Sequence, residues 1–324
     1  MTELLHSYIN GNHAVSIYDD GTKISKTISK DSEYLTYDFP ESFDFKITNR
    51  CNDGCKFCHE NSTPNGGNPS LKNFLSSRFY QSIHPFTEMA IGGGNVFESK
   101  DLLLLLQENK AKNILSSITV SQRQLKENFN HLQSFLSNNL VRGLGVSISN
   151  PLDNETISLA KSLGNNVVFH VINGLVDESW ENIFSDNKVL VLGFKKKGRG
   201  IQYLSDNPSP IMRNQAWLEK NLKRLSRISK ILSFDCLAVS QLNPKKNLEL
   251  SCNTWEMLYS GDDEIPMDRL GNIRCSTMFV DFPKRKIARS SISSTRYDLD
   301  LTETIETNFK KTFENANHCP TKFV

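Results

Sequence analysis

The sequence predicts an α/β fold built on parallel strands, and three observations support this prediction. From residue 42 onward, strand-like stretches alternate with helix-like stretches, which indicates βαβ units in a parallel sheet. The first stretch, residues 42–49, alternates apolar Phe43, Phe45 and Ile47 with polar side chains. The 324 residues, 38% of them hydrophobic, can bury a large core. A single α/β barrel of about 200–250 residues with appendages therefore fits the length as well as two domains do.

Each element of the alternating region has a local signal. Strands are short apolar or alternating runs, predicted at residues 42–49, 86–91, 113–120, 142–149, 166–172, 188–194 and 234–242. Helices are predicted between them, at residues 99–110, 121–137, 154–163, 177–184 and about 215–233. Residues 41–245 are therefore predicted to form one barrel core.

Two further segments flank this core. Residues 1–40 carry hairpin signals at Asn10-Gly11 and Asp19-Asp20-Gly21-Thr22, which predict an N-terminal β-ribbon serving as an accessory edge or lid. Residues 246–324 break the strand–helix alternation and contain a predicted hairpin at 276–288. We interpret this C-terminal part as an extension that covers the substrate, so that the chain has three predicted domains.

The composition argues against several classes of protein. A net charge of +2 is nearly balanced, so it indicates neither a nucleic-acid coat nor an acidic tail. The longest apolar run, residues 102–106, is far too short to span a membrane, and the first residues lack a signal-peptide pattern. Seven cysteines without a secretory signal favour a cytoplasmic location and a thiolate or metal role.

Three cysteines, Cys51, Cys55 and Cys58, lie within eight residues directly after the first predicted strand. Short loops of this kind hold iron–sulfur clusters through thiolates, and a four-iron cluster with three protein ligands keeps one iron open to a small molecule. The alternatives are a structural zinc site that adds His59 as fourth ligand, and a disulfide with a spare thiol. The carboxyl end of a barrel strand is where functional sites are built, so the motif lies at the expected face.

The C-x3-C-x2-C spacing, with Phe57 before the last cysteine, resembles the radical S-adenosylmethionine (SAM) superfamily. The resemblance covers residues 41–245 and implies a partial (β/α)6 parallel barrel, here with an N-terminal β-hairpin and a C-terminal cap extension. It also implies one [4Fe-4S] cluster on the three cysteines, SAM at the open iron, its reductive cleavage to a 5′-deoxyadenosyl radical, and an electron donor such as flavodoxin or ferredoxin. Residues 39–42, 58–64 and 290–297 also resemble a group of radical SAM proteins from bacteria and their phages.

Gly92, Gly93, Gly94 and Asn95 follow the second strand of the predicted core. Glycines let the backbone approach a ligand and present its own polar groups, although a plain turn would also use them. At this place the run is similar to the Gly-Gly-Glu element with which the family holds the SAM ammonium. Gly94 stands where the acidic residue usually lies, so the resemblance assigns the ammonium to backbone carbonyls and Asn95.

The resemblance assigns further SAM contacts by position in the barrel. Ser147 and Ser149 would contact the ribose and carboxylate, while Asn173 and Phe57 would lie near the adenine. The two serines share one face of the fourth strand with small residues such as Gly145. This face either leaves room in the lumen for a ligand or marks a crowded crossing that tolerates only small residues.

Residues 195–199, Lys-Lys-Lys-Gly-Arg, follow the sixth strand, and two glycines flank Arg199. We interpret this loop, from Lys195 to Arg199, as a binding site for a phosphate or carboxylate of the substrate rather than as a surface turn. The substrate, from which hydrogen would be abstracted, is a peptide or protein side chain or a nucleotide-like small molecule. From another class, the alternative function is a zinc-stabilised binding module without catalysis.

The other four cysteines have no short mutual spacing and are predicted to bind no second cluster: Cys236, Cys252, Cys275 and Cys319. The sequence assigns no role to a last group of polar positions, namely Lys46, His59, His170 and residues 290–297.

Overall fold

The computed structural model describes residues 3–30, 32, 34–259 and 266–314. At the N-terminal end, three strands form a small antiparallel sheet in the order β1, β2, β3. Their bounds are Leu4–Asn10 for β1, His13–Tyr18 for β2 and Lys23–Thr27 for β3. The turn between β1 and β2 uses Gly11 at a φ of 57°, a left-handed conformation that favours glycine. The predicted ribbon is therefore present, with a third strand added to the hairpin.

A ten-stranded sheet forms the body of the described chain, in the order β10, β9, β8, β7, β6, β5, β4, β11, β12, β13. From β4 to β10 each strand pairs in parallel with the next one in the sequence. The bounds are β4 Ser42–Thr48, β5 Glu88–Gly93, β6 Leu115–Ser121, β7 Gly143–Ser147, β8 Val167–Ile172, β9 Lys188–Leu192, β10 Ile231–Phe234, β11 Thr277–Asp281, β12 Lys286–Ala288 and β13 Tyr297–Asp298. The predicted α/β class, a partial parallel barrel, is confirmed.

Helices connect the parallel strands and cover their outer face. Several begin where a side chain accepts a bond from an N–H of the first turn, as Ser121 and Asp153 do. The bounds are α1 Lys72–Leu75, α2 Arg78–Gln81, α3 Leu102–Ala111, α4 Gln122–Glu127, α5 Phe129–Ser137, α6 Asn154–Ser162, α7 Glu181–Phe184, α8 Arg199–Asp206, α9 Pro208–Ile228, α10 Cys236–Leu242, α11 Pro244–Asn247, α12 Cys252–Leu258 and α13 Ile305–Lys311. None of the described helices is long and apolar enough to cross a membrane.

The two faces of the barrel strands differ, as the alternation predicts. On β4, the side chains of Phe43, Phe45 and Ile47 are at most 1% exposed and belong to the apolar core. Asp44 and Lys46 lie on the opposite face and point into the lumen, because successive strand residues alternate between faces. The residues paired level with Asp44 share its inward face, namely Ala90, Ser117 and Gly143.

The C-terminal part of the chain joins this same sheet. β11 pairs in parallel with β4, with Asp281 opposite Lys46, and β12 and β13 continue in antiparallel fashion. β4 is therefore flanked by β5 on one side and by β11 on the other. The domain boundaries at residues 40 and 245, and the covering of a substrate by the C-terminal part, stay predictions.

The predicted strand at residues 234–242 is wrong over most of its length. β10 ends at Phe234, and Asp235 begins α10 by accepting a 2.7 Å hydrogen bond from the Ala238 N–H. The same Asp235 oxygen accepts a 2.8 Å bond from the Gly193 N–H, at the end of β9. The segment becomes helical because this carboxylate both caps the helix and ties it to the neighbouring strand.

The N-terminal sheet lies over the amino ends of the barrel strands. His6 stacks on Phe86, just before β5, with ring centroids 4.0 Å apart. Buried Glu41, just before β4, accepts a 2.8 Å hydrogen bond from His13 of β2 and also pairs with Lys23. The ribbon therefore closes the end of the barrel opposite the cysteines and is no lid over them.

Candidate active site

The three cysteines lie on the loop of residues 49–67, here called the cysteine loop, which leaves the carboxyl end of β4. Backbone bonds fold this loop back on itself. The Cys51 N–H donates to the Thr63 carbonyl at 2.9 Å, and the Cys58 N–H donates to the Cys55 carbonyl at 3.2 Å. All three thiols are unbridged and half-buried. The short loop thus presents three thiols at the functional end of the barrel.

Burial raises the pKa of the Cys51 and Cys55 thiols, and the negative charges of Asp53 and of the other cysteines act in the same direction. The thiols are therefore close enough to influence one another. Among the described residues no three His, Cys, Asp or Glu side chains already surround a single point as one metal ion would require. Three neighbouring unbridged thiols on one loop fit a multi-iron cluster, whose irons take one thiolate each.

Arg199, predicted as part of an anion-binding loop, instead holds the cysteine loop. Its Nε donates to the Cys55 carbonyl and its Nη1 to the Ser62 carbonyl, both at 2.9 Å. The Arg199 backbone N–H donates to the Cys58 carbonyl at 3.0 Å. Gly198 allows this approach, since a Cβ there would lie 2.6 Å from the His59 carbonyl oxygen. Arg199 therefore fixes the backbone on which the thiols stand.

The glycine run packs against the start of the cysteine loop. A Cβ on Gly93 would lie 2.4 Å from the Thr48 carbonyl oxygen, and one on Gly94 would lie 2.2 Å from that of Arg50. The side chain of Asn95 accepts a bond from the Phe97 N–H and so caps a short 3-10 helix. In contrast, a Cβ on Gly92 would meet no atom within 4 Å. Of the three glycines, Gly92 is the one beside open space.

The other predicted SAM contacts lie in different surroundings. Ser147 ends β7 and faces the lumen, whereas the Ser149 hydroxyl donates to Gln122 at 3.2 Å. Asn173 is 1% exposed and donates a 3.0 Å bond to the side chain of Gln241 on α10. Separately, Phe57 packs edge-on against the ring of Tyr203. These assignments to SAM stay predictions.

The lumen contains titratable groups that the sequence assigned to no role. A Cβ on Gly145 would lie 2.4 Å from Cε1 of His170, so the imidazole fills part of the space that the small residues leave. Burial and the nearby Lys195 charge lower the pKa of His170 to about 4, so it is neutral at pH 7. The protein packed around the lumen raises the pKa of Asp44, with Lys195 opposing and Glu88 acting in the same direction, although the residue itself is exposed in the open lumen.

Lys46 is the centre of a charged network beside the cysteine loop. Its side chain is 2% exposed and forms an ion pair with Glu60 and another, at 3.5 Å, with Asp281 of β11. His59 lies 3.3 Å from the second oxygen of Glu60. Although burial opposes it, bonding to His59 and Lys46 holds the pKa of Glu60 well below its usual range. These four residues, here called the Lys46 network, join β4, the cysteine loop and the C-terminal part.

Residues 195–197 and 290–297 meet beside this network. Lys195 lies 3.4 Å from Nε2 of His59 and donates to the Ser291 hydroxyl at 3.0 Å. Lys197 and Arg296 both donate to the Ser291 carbonyl, at 3.4 and 2.6 Å. Sequence reasoning missed this meeting because the two segments lie about a hundred positions apart. For the adjacent Lys46 network a signal was available, namely the inward position of Lys46 on a strictly alternating strand, since a buried lysine requires partners.

The remaining cysteines lie apart from the cysteine loop. Cys236 and Cys252 are exposed at the first positions of α10 and α12, and Cys275 is buried just before β11. Cys236 is therefore helical rather than within a strand. Cys319 lies outside the described residues. The expectation that these cysteines bind no second cluster stays a prediction.

A cleft of about 380 Å³ lies at the opposite end of the barrel, between the N-terminal sheet and the starts of the strands. Its polar lining includes Glu41, Glu88, Arg142 and Lys188. No cysteine lines it. We therefore locate the candidate site at the carboxyl ends of the strands, where the thiols, the glycine run and the Lys46 network lie together.

Comparison with known proteins gives relatives by fold. No family model matches the chain, and no curated protein matches it. The crystal structure of Streptococcus suis SuiB bound to precursor peptide SuiA superposes with a TM-score of 0.53 at 12% identity, covering 92% of this chain and 86% of that one. The structure of SuiB bound to S-adenosylmethionine superposes with a TM-score of 0.51 at 16% identity, covering 86% of this chain and 66% of that one. The structure of SuiB alone superposes with a TM-score of 0.50 at 16% identity, covering 81% of this chain and 64% of that one. At these identities the similarity is one of fold.

Proposed function

We propose that this chain is a radical SAM enzyme that binds one [4Fe-4S] cluster through Cys51, Cys55 and Cys58. The observation that carries the proposal is the position of three unbridged thiols on one short loop at the carboxyl end of the first barrel strand. Held by these thiolates, the cluster would supply the electron for reductive cleavage of SAM to methionine and a 5′-deoxyadenosyl radical, which would abstract hydrogen from the substrate. SuiB, which shares the fold, has been crystallised with S-adenosylmethionine, and this supports SAM as the ligand.

The chain's own residues would position SAM across the mouth of the barrel. Gly92 leaves open space beside the lumen, so the backbone of the glycine run can approach the SAM ammonium. Ser147 offers a hydroxyl on β7, two strands away in the sheet, for the ribose or carboxylate, and Phe57 offers an aromatic face for the adenine. Farther round the barrel, Ile172 and Leu192 pair in register on the inward face and give the lumen an apolar wall.

The zinc alternative requires His59 as the fourth ligand of the three thiols. Nε2 of His59 instead lies near Glu60 and Lys195, at 3.3 and 3.4 Å. Burial and the Lys195 charge lower the pKa of His59, while the bond to Glu60 opposes them. This engagement with the Lys46 network favours a three-thiolate cluster over a zinc site.

The structural neighbours also bear on the class of substrate. SuiB is known in complex with precursor peptide SuiA, and this supports a peptide or protein side chain over a nucleotide-like small molecule. An electron donor of the flavodoxin or ferredoxin type and a cytoplasmic location belong to the same proposal. An oxygen-labile cluster and an electron carrier both suit a reducing compartment.

The test is anaerobic reconstitution of the full chain with iron and sulfide, followed by dithionite and SAM. We expect about four irons per chain, the brown absorption of a cluster, and 5′-deoxyadenosine measured by chromatography. Alanine at Cys51, Cys55 or Cys58 should abolish both readouts, whereas Cys252→Ala, at an exposed cysteine elsewhere, should change neither. Bound zinc with no iron, or full cleavage of SAM in one of the three variants, would refute the proposal.

A further inference from the structure

We propose that Lys195, Lys197 and Arg296 form a pocket that binds a carboxylate or phosphate group of the substrate; this inference rests on the proposed function and names a feature of its substrate. The three side chains come from two segments that adjoin different strands of the main sheet. Lys195 and Lys197 follow β9, and Arg296 immediately precedes β13. We call these three residues the cation cluster.

The three positive charges all contact Ser291, a neutral residue, and Lys197 also donates to the Ser293 carbonyl at 3.2 Å. The Ser291 hydroxyl accepts from Lys195 at 3.0 Å, and its carbonyl accepts from Lys197 at 3.4 Å and from Arg296 at 2.6 Å. Within the described part of the chain, none of the three cations forms an ion pair with a carboxylate. Three cations held around a serine leave the cluster with an excess of positive charge.

The nearest carboxylates offset only part of that excess, because the two share one other cation and so contribute one net negative charge against three positive ones. Glu60 and Asp281 both pair with Lys46, which is itself 2% exposed. The Arg296 guanidinium lies 4.8 Å from the ring of Phe279, and its Nη1 is buried without a hydrogen-bond partner among the described residues. A buried donor of this kind costs free energy until an acceptor arrives.

The charges also act on one another. Burial lowers the pKa of Lys197, and the charges of Arg296 and Lys195 lower it further, while the charge of Glu60 opposes them. Repulsion among partly buried cations is relieved when an anion binds between them, and charge-assisted bonds to that anion are stronger than those to a serine. The cluster is therefore suited to carboxylate or phosphate, for which arginine supplies two donors and each lysine a point charge.

The pocket lies at the edge of the candidate active site. Lys195 is 3.4 Å from Nε2 of His59, the residue after Cys58, so a bound anion would stand beside the cysteine loop. The anion could come from the substrate or from the carboxylate of SAM itself. The experiment has to separate these two sources.

The probe is inorganic phosphate added to the full, anaerobically reconstituted protein, with binding measured by calorimetry and by ³¹P line broadening. We expect saturable binding that persists when SAM is saturating. Lys197→Gln and Arg296→Gln should each weaken it about tenfold or more, the effect of losing one charge-assisted bond. The matched control is Lys196→Gln, which removes the same charge from an exposed position in the same loop and should change affinity little. Arg296→Lys, which keeps the charge, should retain part of the affinity.

Two results would overturn the inference. Phosphate binding that is absent, or equal in the parent and both glutamine variants, would mean that the cations only hold residues 290–297 in place. Phosphate displaced by SAM, together with weaker SAM binding in Arg296→Gln, would assign the pocket to SAM instead of the substrate. Failure of the proposed function would look different, because phosphate binding would remain while no 5′-deoxyadenosine formed.

Discussion

Replacing Arg199 by alanine should loosen the cysteine loop while leaving the barrel intact. The guanidinium donates two bonds of 2.9 Å to the carbonyls of Cys55 and Ser62. Hydrogen bonds from charged groups contribute about 1.5–3 kcal/mol each, so the pair is worth at most about 3–6 kcal/mol. Arg199 is only half-buried and water can reach the freed carbonyls, which reduces the expected loss to about 2–4 kcal/mol.

This loss should appear as faster release of the cluster. At 1.4 kcal/mol per factor of ten, the loop would open roughly 30- to 700-fold more often. The assay is the rate at which a ferrous chelator removes iron from the reconstituted protein, beside a urea unfolding curve of the iron-free protein. The matched control is Arg227→Ala, at an exposed position on α9. Equal rates of iron release in the Arg199 variant, the Arg227 variant and the parent would refute the reasoning.

Three further predictions concern the lumen and the walls around it. Gly94→Ala should prevent stable folding, measured by thermal unfolding, because its Cβ would lie 2.2 Å from a backbone oxygen. Gly92→Ala, whose Cβ would meet no atom within 4 Å, should fold but bind SAM more weakly, measured by calorimetry. Lys46→Met should cost about 3–5 kcal/mol in urea unfolding, since it leaves the largely buried carboxylates of Glu60 and Asp281 without their cation. Neutralising both carboxylates as well should restore most of the loss. Asp44→Asn should raise the melting temperature slightly at pH 7, because the raised pKa of Asp44 means that its charge opposes folding, while the exposure of this residue in the lumen keeps the effect small. The gain should vanish as the pH falls below the ordinary value of 3.8, where the parent side chain is protonated too.

Local patterns in the sequence were sufficient for the barrel and for the place of the cysteine loop. The alternation of Phe43, Phe45 and Ile47 predicted the correct buried face of β4, because every second side chain of a strand points to the same face. The same reasoning failed at residues 234–242, where a short apolar run fits either a strand or a buried helix. The segment is helical because the Asp235 carboxylate caps the helix by accepting a bond from the Ala238 N–H.

Interactions between distant segments could not be predicted in this way. Arg199 was expected to contact a substrate anion, yet its donors reach carbonyls of the cysteine loop more than a hundred positions earlier. Lys46 likewise finds one of its partners, Asp281, 235 positions later in the chain. A charge pattern in a sequence indicates that partners are needed, while tertiary folding decides which ones they are.

The pairing of β4 with β11 has a consequence for how the protein is made. Lys46 leaves the ribosome 235 residues before Asp281, an interval of roughly 10–50 s at about 5–20 residues per second. Throughout that interval one edge of β4 has no neighbour to bond with, and open strand edges are templates for aggregation. Protection of the first barrel strand therefore depends on synthesis reaching residue 281. Until then the nascent barrel has an unpaired strand edge next to the loop that carries the cysteines.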